Sequence, residues 1–441
     1  MSLGLLLLVV VACTGAPPAP GPRPDGTPSP AAEGRPPVRI AVVASLTGPT
    51  AELDLAYLDG MRLALRTVNG AGGIRGRPLR LEVVDDGGVP STAREGLGAA
   101  VEESPAVVVV GEGEAVTALR PEIEQRGTPV MLVGADLYSA RELFRQVFQS
   151  APPVAWQAAA LARYLVTDRG ARRILVVTGG DRAAADAVSA ALADEGRPPF
   201  AVRDVGAGAV TGGVLRAARR ADAVVVAAGP ETGAAVAEAL RRLPDPPRLA
   251  LTGQGLERSF AEASEPAPGT VAVGAYAWAG WADPIPRVAR FRAAFERRFG
   301  RLPGGFEQEG YEAVRTLAFG LHRSRGRGGD ALVGALEGFP GGHFASVPID
   351  LGPDDHLLAD RHLLGAFAVA GPGEEVEPFA PGWAPWRPVM RTFTLLLGER
   401  TSILDRDKRV FFPGWRRREP APFYWRSRYG IVTRAEEDPL H

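Results

Sequence analysis

Lysine is almost absent from this 441-residue sequence, in which Lys408 stands alone against 49 arginines. A P-loop, a Schiff-base enzyme and a protein kinase each need a lysine at a fixed place in an α/β body. Lys408 lies outside the regular α/β pattern, so these three classes are excluded. The motifs G-x-S-x-G and H-E-x-x-H are also absent, and a catalytic role is therefore the least favoured of the functions considered.

Neither charge sign is in excess. The net charge is −1, and no long basic run occurs, so we expect no nucleic-acid partner. With 46% hydrophobic and 23% charged residues, the chain has enough apolar material for two or three globular domains. His322, His343, His356 and His362 show no metal-ligand spacing and read as residues of solvated loops. We expect neither a metal nor another cofactor.

Cysteine occurs once, as Cys13. It ends an apolar run from Leu5 that is far shorter than the roughly 20 residues that span a bilayer, and such a run is typical of a signal peptide. The run ends in Val-Val-Ala-Cys, which resembles the lipobox of bacterial lipoproteins. An exported protein with one thiol forms no internal disulfide, whereas lipidation would use that thiol. The alternative is a soluble signal peptide that is cut elsewhere.

Two segments fall outside the regular pattern. Residues 14–37 are rich in proline, glycine and alanine and predict a disordered tether. Residues 381–441 contain ten of the 31 aromatic residues together with twelve Arg or Lys residues. Such an extension is either a partner surface or a segment packed on its own body.

Between these segments, β-branched runs alternate with segments of helical periodicity. Strands are expected in two successive α/β units, and two long covering helices follow, one with its apolar face at Tyr311, Val314, Leu317 and Leu321. The expected strands lie at 38–46, 79–86, 106–111, 128–135, 172–180, 200–206, 221–229, 247–255 and 269–278, with late strands at 344–352 and 363–371.

The stretch NGAGGIRGRPLRLEVVDDG (69–87) invites comparison with a phosphate-binding loop. It joins a helix to a strand, however, and a phosphate-binding loop joins a strand to a helix. Its glycines therefore indicate a helix C-terminus and a turn. Asp85 and Asp86 invite an acid–base interpretation, but at a strand end beside two glycines they are more often acceptors for loop N–H groups.

The order of motifs in residues 38–87 resembles the leucine/isoleucine/valine-binding family of type I periplasmic binding proteins. The positions that match are Asn69, Gly72, Gly73, Ile74, Gly76, Asp85 and Asp86. The resemblance covers about 38–380 and implies a two-lobed α/β clamshell that takes a small solute into its cleft and delivers it to an ABC permease. A sensor that signals through a membrane partner would use the same clamshell.

The implied domain organisation has five parts. They are a signal peptide at 1–13, the tether at 14–37, lobe 1 at 38–151 plus about 278–343, lobe 2 at 152–277 plus about 344–380, and the extension at 381–441. We expect a monomer on the periplasmic or cell-surface side of a bacterial membrane, anchored through a lipid at Cys13. Hinges are expected near Ala151 and Ala277.

Ligands of open α/β sheets bind at the carboxyl ends of the strands. Together with the resemblance, this rule predicts a solute site in the strand-end loops of both lobes. The residues selected are Ser45, Thr47, Glu112, Glu114, Ala115, Ala135, Asp136, Asp181, Glu231 and Gln254.

Three departures from the family's amino-acid binders bear on the solute. The loop after the third strand is EGEAVTA rather than serine-rich, the aromatic residue that closes over the ligand is replaced by Ala183, and the glutamate that holds the ammonium is replaced by Gln254. An amide carries no net charge, so it forms no charge-assisted bond with an ammonium. A standard branched-chain amino acid is therefore not the expected solute.

Overall fold

The structure is a computed structural model. It describes residues 35–48, 51–111, 113–134, 144–151, 153–180, 182–206, 210–252, 270–274, 286–339, 349, 351–353, 355–358, 365–368, 377–378, 425–427 and 430–432. Within these residues, no helix combines the length and the apolar character needed to cross a membrane.

The first sheet has five parallel strands in the order β2-β1-β3-β4-β5. Four helices belong to its connections. The strands are β1 Val38–Ala44, β2 Leu79–Asp85, β3 Val107–Val110, β4 Val130–Leu132 and β5 Val147–Gln149, and the helices are α1 Ala51–Gly70, α2 Pro90–Glu102, α3 Gly113–Ala118 and α4 Arg120–Arg126.

The second sheet has the order β12-β11-β10-β9-β8-β6-β7, in which β11 pairs antiparallel with both β10 and β12 and the other pairs are parallel. Its strands are β6 Ile174–Thr178, β7 Ala201–Asp204, β8 Ala223–Ala227, β9 Arg248–Leu251, β10 Val271–Gly274, β11 Gly365–Ala368 and β12 Glu377–Pro378. The helices are α5 Val154–Arg163, which continues into a π-helical turn at Tyr164–Asp168, α6 Arg182–Asp194, α7 Gly212–Ala218 and α8 Pro230–Arg241.

Three further helices follow the parallel strands, and a two-stranded hairpin lies in the C-terminal extension. The helices are α9 Pro286–Phe299, α10 Gly305–Arg323 and α11 Gly329–Glu337, and the strands of the hairpin are β13 Trp425–Ser427 and β14 Gly430–Val432.

The central strands are valine-rich because helices cover both of their faces. Every residue of β3 and of β8 is buried. Strands buried on both faces are continuous apolar runs rather than alternating ones. The strand predictions at 106–111 and 221–229 are confirmed for this reason, and the predicted α/β class with two mainly parallel sheets is confirmed as well.

Helix α10 differs from the expected covering helix. Every residue from Glu307 to Leu321 is buried, so the helix is enclosed on all sides rather than along one apolar stripe. Its backbone touches that of α1, where a Cβ added to Gly310 would stand 2.1 Å from the carbonyl oxygen of Tyr57. The predicted apolar face of this helix is buried as expected. The opposite side is buried too, because polar residues on α10 hydrogen-bond inside the protein instead of facing water.

Two features of the first sheet lie beyond what the sequence pattern indicates. The helical segment between β3 and β4 is divided into two helices, α3 and α4, that meet at Leu119, just before Pro121. Strand β5 was not predicted, because three residues carry too little periodicity to identify a strand. The late strand at 363–371 is confirmed as β11, whereas most of the one at 344–352 lies outside the described residues.

The turn after α1 agrees with its interpretation as a helix C-terminus. Gly72 and Gly73 have positive φ angles of 100° and 68°, and the Gly73 N–H donates to Val68 O at 2.9 Å. The buried Asn69 side chain holds the next strand, accepting from the Leu79 N–H at 2.8 Å and donating to the Leu79 carbonyl at 2.9 Å. These glycines therefore shape a turn and form no phosphate site.

The expectation of solvated histidines fails at His356. This residue is buried, its ring stacks on Phe148 with centroids 4.1 Å apart, and its Nδ1 lies 3.0 Å from Val147 O. The local sequence is polar, but the segment pairs with β5 through a bridge from Gln149 to Leu357 and is thereby drawn inside. His322 is exposed as expected, and His343 and His362 lie outside the described residues.

Candidate functional site

The loop after β1 is fixed by two aspartates at the end of β2. The Ser45 hydroxyl donates to Asp86 at 2.7 Å, and the Thr47 hydroxyl donates to Asp85 at 3.0 Å. Asp85 also accepts from the Gly87 and Leu46 N–H groups, which hold its pKa below the usual range. These contacts confirm the interpretation of the aspartate pair as loop acceptors.

Asp54, in the first turn of α1, draws two strand ends together. Its carboxylate accepts from the Ser45 N–H at 2.6 Å. A Cβ added to Gly111, which follows β3, would stand 3.3 Å from the same carboxylate. The loops after β1 and β3 therefore lie side by side at the carboxyl edge of the first sheet.

The loop after β3 leads directly into α3. Glu114, in the first turn of that helix, is exposed, whereas Ala115 is buried in the apolar cluster beneath. The Ala115 side chain therefore packs in the core, and only its backbone is left for a solute.

The second sheet brings two of its own strand ends together. Gly179 follows β6, and a Cβ at this position would stand 2.6 Å from Oγ1 of Thr232, in the first turn of α8. The neighbouring Glu231 is exposed. Glycine at 179 therefore leaves room for the close approach of the first turn of α8, which follows β8.

Five of the eleven sequence-predicted site residues, counting the lipid site Cys13, can be placed. Ser45, Thr47, Glu114, Ala115 and Glu231 all lie at carboxyl ends of strands or in the helix turns that follow them. Cys13, Glu112, Ala135, Asp136, Asp181 and Gln254 lie outside the described residues.

One group beside this edge was not expected from the sequence. Glu309 of α10 is buried, and its Oε1 accepts from the Gly134 N–H at 3.1 Å and from the Ser150 hydroxyl at 2.5 Å. Tyr57 also hydrogen-bonds to this carboxyl. Burial raises its pKa from 4.5 to about 7, although the three hydrogen bonds act in the opposite direction.

Comparison with known proteins agrees with this arrangement. A family model described as periplasmic binding protein matches residues 37–369. The chain belongs to the periplasmic binding protein family. The predicted resemblance is thereby confirmed, and solute binding rather than catalysis is the activity of that family.

Related sequences include two proteins from Brucella. The Leu/Ile/Val-binding protein homolog 4 of Brucella abortus (strain 2308) is 32% identical over 80 residues, which are 18% of this chain and 19% of the relative. Homolog 3 of Brucella melitensis is 28% identical over 144 residues, or 32% of this chain and 39% of the relative. The matches thus span well under half the length of these relatives.

Solved structures with the same fold carry the type I clamshell. A periplasmic binding protein type 1 from Bordetella pertussis has a TM-score of 0.65 at 19% identity, covering 78% of this chain and 100% of the other. The Streptococcus pneumoniae protein LivJ in complex with isoleucine has a TM-score of 0.65 at 17% identity, covering 78% of this chain and 100% of the other. A Rhodopseudomonas palustris solute-binding protein in complex with 3,4-dihydroxybenzoic acid has a TM-score of 0.66 at 15% identity, covering 77% of this chain and 94% of the other. The two-lobed α/β clamshell is the fold of this chain.

Proposed function

We propose that the protein is the extracytoplasmic solute-binding component of an ABC-type importer. It captures a small polar or amphipathic solute between two lobes, without catalysis. The observation that supports this most strongly is the meeting of loops at strand carboxyl ends, through Asp54 in the first sheet and through Gly179 and Thr232 in the second. In open α/β sheets this edge is where ligands bind. A structural relative from Sphaerobacter thermophilus is an ABC transporter substrate-binding protein.

The proposed lobe boundaries follow the two sheets except at 356–358, which pair with β5 of the first sheet. Lobe 1 consists of 38–151 and about 278–343, and lobe 2 consists of 152–277 and about 344–380. Two contacts support this division, because α10 packs on α1 and β11 pairs with β10. Closure on binding would then occur by hinge motion at the connections near Ala151 and Ala277.

The proposed solute contacts come from both lobes. Ser45 and Thr47 already donate their hydroxyl protons to Asp86 and Asp85, so in this arrangement they shape the loop and leave its backbone to face a solute. Exposed Glu114 and Glu231 offer carboxylates from the first turns of two helices. The remaining proposed contacts are Ala115, through its backbone, and Glu112, Ala135, Asp136, Asp181 and Gln254.

The proposed setting is a membrane surface. Lipidation of Cys13 would tether the monomeric protein beside its permease, on the periplasmic or cell-surface side, and residues 14–37 would give it reach. The support for this part is the sequence of the leader, since Cys13 lies outside the described residues.

A thermal-shift screen tests the proposal. The purified protein is heated with amino acids, amides, short-chain acids and aromatic acids in turn, because a solute that binds only the folded state raises the melting temperature. A concentration-dependent rise for one class identifies the solute class. A matched variant, Glu231→Gln, should reduce the rise for a cationic solute and leave that for an anionic one unreduced. If no solute raises the melting temperature, and the radius of gyration from X-ray scattering is the same with and without a high concentration of each solute, solute capture is contradicted.

A further inference from the structure

Glu309 occupies the point where the chain leaves the first sheet. Gly134 follows β4, and Ser150 follows β5, the last strand of that sheet. Both donate to the same carboxylate oxygen, from 175 and 159 residues away along the chain. After Ser150 the chain passes to α5, which packs on α6 and on β10 of the second sheet. One buried side chain thus ties a strand-end loop and an inter-sheet connection to α10.

The hydrogen bonds of Ser150 allow two arrangements. Its hydroxyl lies 2.5 Å from Oε1 of Glu309 and 3.2 Å from the carbonyl oxygen of Leu132. A hydroxyl has a single proton to donate. When Glu309 is ionised, the Ser150 hydroxyl donates its hydrogen bond to the carboxylate. When Glu309 is protonated, the carboxyl donates to Ser150, and Ser150 donates to Leu132.

The bond from Gly134 changes in strength at the same time. A hydrogen bond to an ionised acceptor is shorter and roughly twice as strong as one between neutral groups. The Gly134 N–H is therefore held more tightly when the carboxyl is charged. A Cβ on Gly134 would also stand 2.6 Å from the ring of Tyr57, so this strand end is confined between Tyr57 and Glu309.

We propose that Glu309 is a positioning residue whose protonation changes how the ends of β4 and β5 are held against α10. Its buried carboxyl has a pKa of about 7, so the change occurs near neutral pH. This inference goes beyond the proposed function and holds whatever the solute is. The titratable or charged groups on the surrounding described elements include Asp54, Tyr57 and Asp59 on α1, Glu307, Glu312 and Arg315 on α10, and Asp355 and His356 on the segment beside β5.

Amide NMR of the full chain tests the proposal without a solute. In the wild type, the Gly134 amide resonance should titrate with a midpoint of about 7, and its proton should move downfield as the pH rises. Glu309→Gln should abolish this titration. Glu312→Gln is the matched control, because Glu312 is also a fully buried acid on α10, and it should leave the midpoint unchanged.

Ser150→Ala supplies an independent readout and serves even if Glu309→Gln fails to fold. It removes a hydrogen bond that stabilises the charged carboxylate, so the midpoint of the Gly134 titration should move to higher pH. A merely structural role for Glu309 would move no midpoint. Persistence of the titration in Glu309→Gln, its loss in Glu312→Gln, or an unshifted midpoint in Ser150→Ala would each overturn the proposal.

Discussion

Gly60 and Gly310 face each other where α1 crosses α10. A Cβ on Gly60 would stand 1.8 Å from the carbonyl oxygen of Glu307, and one on Gly310 would stand 2.1 Å from that of Tyr57. The two helices therefore touch backbone to backbone, a separation that only glycine permits at these two positions. This crossing holds α10, and with it Glu309, against the carboxyl edge of the first sheet.

Gly310→Ala should destabilise the protein by about 1–3 kcal/mol or more, because the added methyl forces the helices apart. The free energy of unfolding in urea measures the loss. Gly334→Ala is the matched control, since Gly334 also lies in a helix but has nothing within 4 Å of an added Cβ. The control should gain roughly 0.5–1 kcal/mol from the better helix propensity of alanine. Equal effects at both positions would contradict the close crossing.

Asp86→Ala should destabilise the loop after β1. Asp86 is buried and accepts from the Ser45 hydroxyl and from the Gly88 N–H at 2.9 Å. Loss of a buried acceptor costs about 1–3 kcal/mol. Asp85→Ala should lower stability less, because Asp85 is exposed and water replaces its oxygens. Chemical denaturation compares the two, and a larger loss at Asp85 would refute this account.

The stability of the wild type should fall as the pH rises from about 4.5 to about 7. The folded state holds a proton on Glu309 up to a pKa of about 7, whereas the unfolded chain releases it near 4.5. The stabilisation is therefore complete below the lower value and is lost as the pH passes through the higher one. Each pKa unit corresponds to about 1.4 kcal/mol, which gives a total on the order of 3 kcal/mol.

Glu309→Gln is the comparison for this loss, because glutamine does not ionise. As the pH rises from about 4.5 to about 7, the unfolding free energy of the wild type should fall relative to that of the variant. Parallel pH profiles for the two proteins would show that Glu309 does not titrate with folding.

The wild type should bind leucine, isoleucine and valine weakly or not at all. This prediction rests on the resemblance, which implies that Gln254 stands where the family's amino-acid binders have the carboxylate that holds an ammonium. A missing charged hydrogen bond reduces binding by about 1.5–3 kcal/mol. Calorimetry with wild type and Gln254→Glu measures this, and the variant should bind more tightly. Micromolar binding of any of the three by the wild type would refute the prediction.

Cys13→Ala should release the protein from membranes into the soluble fraction without unfolding it, because the predicted lipid site lies in the leader. Membrane fractionation and the size of the precursor provide the measurement. Retention of the variant in the membrane, at an unchanged precursor size, would contradict lipidation at this residue.

The sequence predicts the strands of this fold better than its polar interior. Valine runs such as 107–110 identify buried strands because two covered faces demand apolar residues at every position. Asp85 and Asp86 could be assigned to loop contacts because each accepts a hydrogen bond from a glycine two residues further along the chain. Glu309 was missed because a glutamate in a helical pattern predicts a solvated face, and its partners are 159 and 175 residues away. A local sequence pattern cannot indicate a contact between residues that are so far apart along the chain.

The crossing of α1 and α10 also sets the order in which the molecule can fold. Asp59 and Arg301, an ion pair beside this crossing, are 242 residues apart. The part of α1 that contacts α10 therefore has no cover until α10 has been synthesised, and joining such distant segments slows folding. The parallel strands of the second sheet are complete by Gly274. A fragment that ends there should consequently form its second sheet more readily than its first, although the first is made earlier.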